Sequence, residues 1–431
     1  MPKIKEIIGR EIYDSRGTPT VECDVILEDG SVGRSSVPSG ASRGNEEAWE
    51  KRDGGERLNG LGVKRAVEEI NSEIKKELIG MAALQSEIDQ ALIDLDGTKN
   101  KKRLGANAML AVSVALLKAA AVAEKLPLYQ YIEKISKTKT NRFDFPCPQF
   151  NVINGGKHAK NNLDFQEFLI IPMGAKSVQE AMEMGGEVYL SLKKLLLENN
   201  LSVGLGDEGG FAPNLRNNEE AITYLVKAIE KANYKPGKDI FLGLDVAANS
   251  FYEEKEDLYL FQSQYKKRDR AGMIKHFGEL SKKYPLISIE DPLVESDFEG
   301  WQEITQSLGA KIQIVGDDFF VTNPQKISRA AKKGEANSVL IKPNQIGTIS
   351  EVFEAIKVSE ENSYIIIVSH RSGDTEDSFI ADLSFGIGAK QIKSGSFSRS
   401  ERMCKYNQLL RIEEDIKKNR SLSSFRNKVY E

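Results

Sequence analysis

Cysteine is scarce: three residues, Cys23, Cys147 and Cys404, an odd number set far apart, argue against a disulfide scaffold and against a zinc knuckle. No clean apolar run is long enough to suggest a membrane span. The best candidate, Ala106–Ala123, is alanine-rich and interrupted by Ser113 and Lys118, so a buried helix is expected there. The opening MPKIKEIIGREIYDSRG lacks an h-region, and no signal peptide is expected. Neither charge sign dominates, with Lys+Arg 60 against Asp+Glu 64 and a net charge of −4. No stretch is unusually basic, which argues against nucleic acid as a partner. Walker A and dinucleotide fingerprints are absent, so no nucleotide is inferred. What is present, 431 residues with 40% hydrophobic and 29% charged, fits a soluble, reduced, cytoplasmic chain of more than one domain.

Two halves follow different patterns. Val21, Cys23, Val25 and Leu27 alternate with polar residues, and Glu28-Asp29-Gly30 reads as a hairpin turn. Val63, Val67, Ile70, Ile74 and Leu78 then recur at helical spacing up to Gly80, and helical patterns continue over 84–95 and 107–123. Strands followed by helices predict a small N-terminal α+β cap over 1–138, with the polar stretch 136–140 as linker. From 139 to 431 short apolar runs alternate with helices. The runs end at Asp245, Glu290, Asp317, Lys342, His370 and Lys393, and the last four gaps each suit one helix and one strand. That period predicts a TIM-like β/α barrel, whose chemistry gathers at the strand carboxyl ends.

An acidic residue at a strand end is often only a helix cap. Lys342 and Lys393 do not fit that reading, because a cation is disfavoured at a helix N-terminus. Three carboxylates at one mouth, Asp245, Glu290 and Asp317, repel one another unless a cation neutralises them; all-oxygen ligation favours Mg²⁺. A lysine beside such positive charge is expected to be an uncharged base, able to take a proton next to a carboxylate. A Schiff-base lysine is the alternative, and the acidic trio argues against it. The glycine-flanked segments 204–210 and 154–158 add Glu208 and His158, while His276 lies in a helical pattern and reads as structural.

These residues sit in long motifs: DSRGTPTVE (14–22), SVPSGAS (36–42), NVINGGKHAKNNLDFQEF (151–168), GDEGGFAPN (206–214), GLDVAA (243–248) and SIEDP (288–292). VGDD (315–318), LIKPNQIGT (340–348), SHRSGDTED (369–377), IKSGSFSRSER (392–402) and KYNQLLRIEE (405–414) follow in order. Through them the sequence resembles the enolases, of bacterial type, nearly end to end. The resemblance implies a cap followed by an enolase-type barrel whose first strands and helices depart from simple βα order. It implies a lyase interconverting 2-phosphoglycerate and phosphoenolpyruvate plus water, in glycolysis and gluconeogenesis, with two Mg²⁺ per site. The chemistry of enolase-type sites, a Lys or His base with Mg²⁺, is a known pattern.

By the same resemblance Asp245, Glu290 and Asp317 are the metal ligands and Ser39, on a closing loop, helps hold the second ion. Lys342 is the base at C2 and Glu208 the acid at the 3-hydroxyl, with Glu167, His158 and His370 as further catalytic groups. Gln166, Arg371, Ser372 and Lys393 are substrate contacts. A homodimer, or a larger oligomer of dimers, is also implied. A superfamily enzyme acting on acid sugars, and a non-catalytic binding protein at the cell surface, stand as alternatives. Four departures from the family pattern are Arg43 for threonine, Thr18 for asparagine, Asp374 for glutamate and the Gly388-Ala389-Lys390 stretch; only Arg43 is expected near the chemistry.

Overall fold

In the cap, alternation becomes a sheet. A computed structural model describes residues 1–41, 44–138 and 145–419, and β1 (Ile4–Tyr13), β2 (Pro19–Leu27) and β3 (Val32–Ser36) form an antiparallel meander. Val21, Cys23, Val25 and Leu27 share its buried face. Gly30, at φ +86°, makes the turn that an L side chain would strain. The predicted stripe folds as one helical run: α1 (Lys64–Glu69), a π turn at Ile70–Ile74, then α2 (Lys75–Leu78). Ile70, Ile74 and Leu78 are buried against the sheet, and the Asn71 amide bonds both backbone groups of Gly9.

Three helices complete the cap: α3 (Gln85–Asp96), α4 (Ala106–Ala123) and α5 (Leu128–Ser136). Among the described residues α4 is the one helix of span-like length and hydropathy, and 83% of it is buried inside the protein. Its small residues let it press on the sheet; a Cβ on Gly33 would stand 2.0 Å from the Ala115 carbonyl oxygen. The expected linker lies partly beyond the described residues, as does Arg43.

The second half is a closed eight-stranded barrel. In chain order it comprises β4 (Cys147–Asn154), β5 (Glu167–Ile171), α6 (Val178–Glu198), α7 (Asn218–Lys231) and β6 (Phe241–Asp245). A small sheet follows, β7 (Tyr252–Glu253), β8 (Leu258–Phe261) and β9 (Lys266–Arg268), then α8 (Arg270–Lys283); these fill the long gap before the next barrel strand. The remaining units alternate: β10 (Leu286–Glu290), α9 (Phe298–Leu308), β11 (Gln313–Gly316), α10 (Pro324–Lys333), β12 (Ser338–Ile341), α11 (Ile349–Glu361), β13 (Ile365–Ser369), α12 (Phe379–Gly386), β14 (Gln391–Lys393) and α13 (Ser400–Asn419). All neighbouring barrel strands are parallel except β5, which runs against both β4 and β6. That reversal matters for function. It brings the start of β5 to the mouth where the other strands end, so Glu167 lies in register with Asn154 and Asp245.

Cap and barrel share polar joints. Asp89, buried on α3, accepts from Ser113 of α4 (2.6 Å) and from both the N–H and the hydroxyl of Ser350 on α11 (2.8 and 2.7 Å). Replacing it leaves several buried donors unsatisfied. Asp89→Ala is therefore expected to lower stability by about 3 kcal/mol in urea unfolding; an unchanged midpoint would contradict the joint.

Candidate active site

The barrel mouth holds two lysines, Lys393 buried and Lys342 partly so. Lys393, the last residue of β14, places Nζ 2.7 Å from Glu290 Oε2, 3.1 Å from Asp245 Oδ2 and 3.2 Å from Glu167 Oε2. Lys342, just past β12, pairs with Asp317, whose other oxygen accepts from the Gln345 amide at 2.9 Å. The predicted carboxylate trio is thus divided: Asp245 and Glu290 meet around Lys393, and Asp317 faces Lys342. Gln166 donates to Asp245 at 3.2 Å. Asp291 holds the turn after β10–β11, accepting the backbone N–H groups of Asp317 (2.9 Å) and Asp318 (3.0 Å).

Electrostatics sets a condition on one expectation. Burial would push the Lys342 ammonium down, but Asp317 and Glu290 outweigh it and hold the group above the ordinary lysine range. Here Lys342 is a charged partner of Asp317, and the expected uncharged amine requires that partnership to be broken. Burial, then Asp245, raises the Glu290 carboxyl to about 8.

The donor set suits a hard divalent cation. Three carboxylate oxygens, from Asp245, Glu290 and Glu167, already converge on one positive centre, the Lys393 ammonium, while Glu290 Oε1 is buried with no hydrogen-bond partner among the described residues. Asp291, Asp317 and Asp318 also bring oxygens together closely enough for an ion, as do His158, Glu167 and Glu208 through ring nitrogen and carboxylates.

Glu167, already beside Lys393, forms a second carboxyl pair with Glu208. The loop 204–210 is closed by the Gly206 N–H to the Gly210 oxygen (2.8 Å), and it delivers Glu208. The Asp207 N–H bonds the His158 carbonyl (3.0 Å), tying together the two glycine-flanked segments. His158 Nδ1 stands 3.5 Å from Glu208 and 3.6 Å from Glu167, while the Asn151 amide donates to Glu208 at 2.9 Å. Burial, reinforced by Glu208, raises the Glu167 carboxyl well above its usual range. Around Glu208 burial is outweighed by His158, His370 and Arg402, and the carboxyl is held low. Two adjacent carboxyls with opposite shifts are the pattern of a proton holder beside an acceptor. His276 lies elsewhere, among Phe165, Phe261 and Phe277, as a packing residue.

Arg371, after β13, is buried and already grips an anion. Its two terminal nitrogens donate to both oxygens of Glu47, each at 3.1 Å, and one also reaches Asn344. Such a fork suits a planar or tetrahedral oxyanion. Ser372 accepts from the Ala41 N–H at 2.6 Å, linking this segment to the cap loop. Gly40, His158, Gln166, Glu167, Glu208, Lys342, Ser369, His370, Arg371, Ser372 and Lys393 together line one narrow cleft.

Ser39 is placed differently. Its hydroxyl is engaged with Glu50 (3.2 Å) and Arg52 (3.0 Å), and its backbone pairs with Gly373; Gly40 lines the cleft instead. Asp374 corrects the reading that only Arg43 among the departures lies near chemistry. It accepts from the Arg371 N–H (3.1 Å) and from Lys405 (2.7 Å), directly beneath the anion fork. Thr18 lies one contact further out, in the turn where Asp14 and Arg16 brace the Ser39 carbonyl. Sequence reasoning missed Glu47, Asn151, Gln345 and Arg402. Asn151, Gln345 and Arg402 lie inside motifs already singled out, and only Glu47 had no signal.

Two family models cover the chain. The enolase N-terminal domain model matches residues 4–132, and the enolase C-terminal TIM barrel domain model matches residues 142–428.

Proposed function

The chain belongs to the enolase family, and on that footing we propose that it is a Mg²⁺-dependent enolase interconverting 2-phosphoglycerate and phosphoenolpyruvate plus water. The observation that carries the reading is a buried anion fork, Arg371, opening into the same cleft as Lys342 and the Glu167–Glu208 pair. An acid-sugar enzyme has no need of a phosphate fork beside its base.

Asp245, Glu290 and Asp317 would hold the ion. When bound, it supplies the positive charge that a carboxylate needs while a second negative charge develops beside it. The chain's own groups do the rest. Arg371 and Ser372 exchange Glu47 and Ala41 for the substrate phosphate. Lys342, once released from Asp317 and having given its own proton to solvent, takes the C2 proton at Nζ. Glu208, held as a carboxylate at rest, would first take a proton from Glu167, the raised neighbour across His158, and then give it to the departing 3-hydroxyl. Gln166 and Lys393 orient the substrate carboxylate end, and His370 backs Glu208. A Ser39-assisted second ion belongs to the same reading and requires Ser39 to leave Glu50 and Arg52. The same family reading proposes a homodimer.

Purified protein given 2-phosphoglycerate and Mg²⁺ is expected to form phosphoenolpyruvate, followed by ultraviolet absorbance. Chelation should abolish the signal and added Mg²⁺ restore it. Turnover of acid sugars, with none of 2-phosphoglycerate, would overturn the proposal.

A further inference from the structure

Arg402, on α13, is a fully buried arginine that does not line the cleft. Its guanidinium is spent on three segments of the chain. One terminal nitrogen donates to His370 Nδ1 (2.7 Å) and to the Arg371 carbonyl (2.5 Å). The other donates to the Ser372 carbonyl (2.5 Å), to the Asp207 carbonyl (3.1 Å) and, at the limit, to the Ser15 hydroxyl of the cap. One side chain therefore ties together the anion-fork loop, the loop carrying Glu208 and the turn that braces Ser39.

The contact with His370 carries a chemical consequence. Arginine has donors and no acceptor, so the imidazole nitrogen it meets must offer a lone pair. Nδ1 is then unprotonated, and in a neutral ring the proton sits on Nε2. The carboxylate oxygen facing Nε2 is Glu208 Oε2, 3.4 Å away. The charged groups near the ring are Glu208, Arg402 and Asp374, and Asp374 is itself paired with Lys405.

We propose that Arg402 is a positioning residue that locks His370 as the Nε2–H tautomer, keeping a hydrogen-bond donor turned toward Glu208. The inference deepens the enolase reading and rests on it for the rate measurement alone. A lysine could keep the charge at this position but could not reach His370 and three carbonyls together.

The test is ¹⁵N NMR of histidine-labelled protein, which has only three imidazoles to assign; H276Q and H370Q identify the signals. Wild type should show His370 with a protonated Nε2 and a bare Nδ1. R402K and R402Q should redistribute that tautomer and lower kcat roughly 10- to 100-fold with KM little changed. A protonated Nδ1 in wild type overturns the proposal without any variant, as does R402K keeping both tautomer and rate. Absence of 2-phosphoglycerate turnover in wild type would instead fail the enolase reading, leaving the tautomer result to stand or fall separately.

Discussion

Lys342→Ala should stop exchange of the C2 proton of 2-phosphoglycerate with solvent, and with it all turnover, by about 10⁴-fold or more, the upper end of a general base's contribution. Methyl truncation removes the only amine at the end of β12 and leaves the cleft otherwise intact. Glu208→Gln should behave differently. It keeps the amide contact with Asn151 and the shape of the loop, so dehydration slows while some proton exchange persists. Isotope exchange measured beside product formation separates the two. Equal loss of both activities in both variants would contradict the assignment of one group to each proton. The raised Lys342 ammonium sharpens the expectation, because Asp317 keeps the resting amine charged. Withdrawing Asp317 lowers the amine's hold on its proton, and loss of that proton to solvent creates the base.

Lys393→Met should be the most destabilising change at the site in metal-free protein. It deletes the one cation that three buried carboxylates, Asp245, Glu290 and Glu167, share within 3.2 Å. Removing one partner from a buried ionic cluster costs about 3–5 kcal/mol where the remaining groups are ionised, so the loss is expected above about pH 8, where Glu290 is charged, and shrinks as Glu290 takes up its proton below it. Denaturant unfolding in chelator should show that loss, and Mg²⁺ should recover part of it by replacing the missing charge. A variant as stable as wild type in chelator would mean that the carboxylates are not charged around Lys393. Activity should fall as well, since the substrate loses a contact inside the cleft.

Much of the barrel could be read as chain pattern. Each run that ended at Asp245, Glu290, Lys342 or Lys393 became a strand ending at or just before that residue, because a parallel strand buried on both faces must be apolar until it emerges at the mouth. The reversed β5 could not be read that way. Nothing in Phe165-Gln166-Glu167-Phe168 states its direction, and only pairing with β4 and β6 turns Glu167 toward the site. Glu47 was equally invisible, one acid among several in a cap loop, until the two domains met and Arg371 closed on it.

Periodicity and motif content therefore settled the cap-and-barrel architecture and the family, since these follow from local spacing and residue chemistry. Which charges neighbour one another was left to packing. Asp317 beside Lys342, Asp245 and Glu290 around Lys393, and Arg402 against His370 join residues far apart in the chain. Ionisation and tautomer depend on distances of a few ångströms within a low-dielectric interior, and those distances exist only after the barrel has closed.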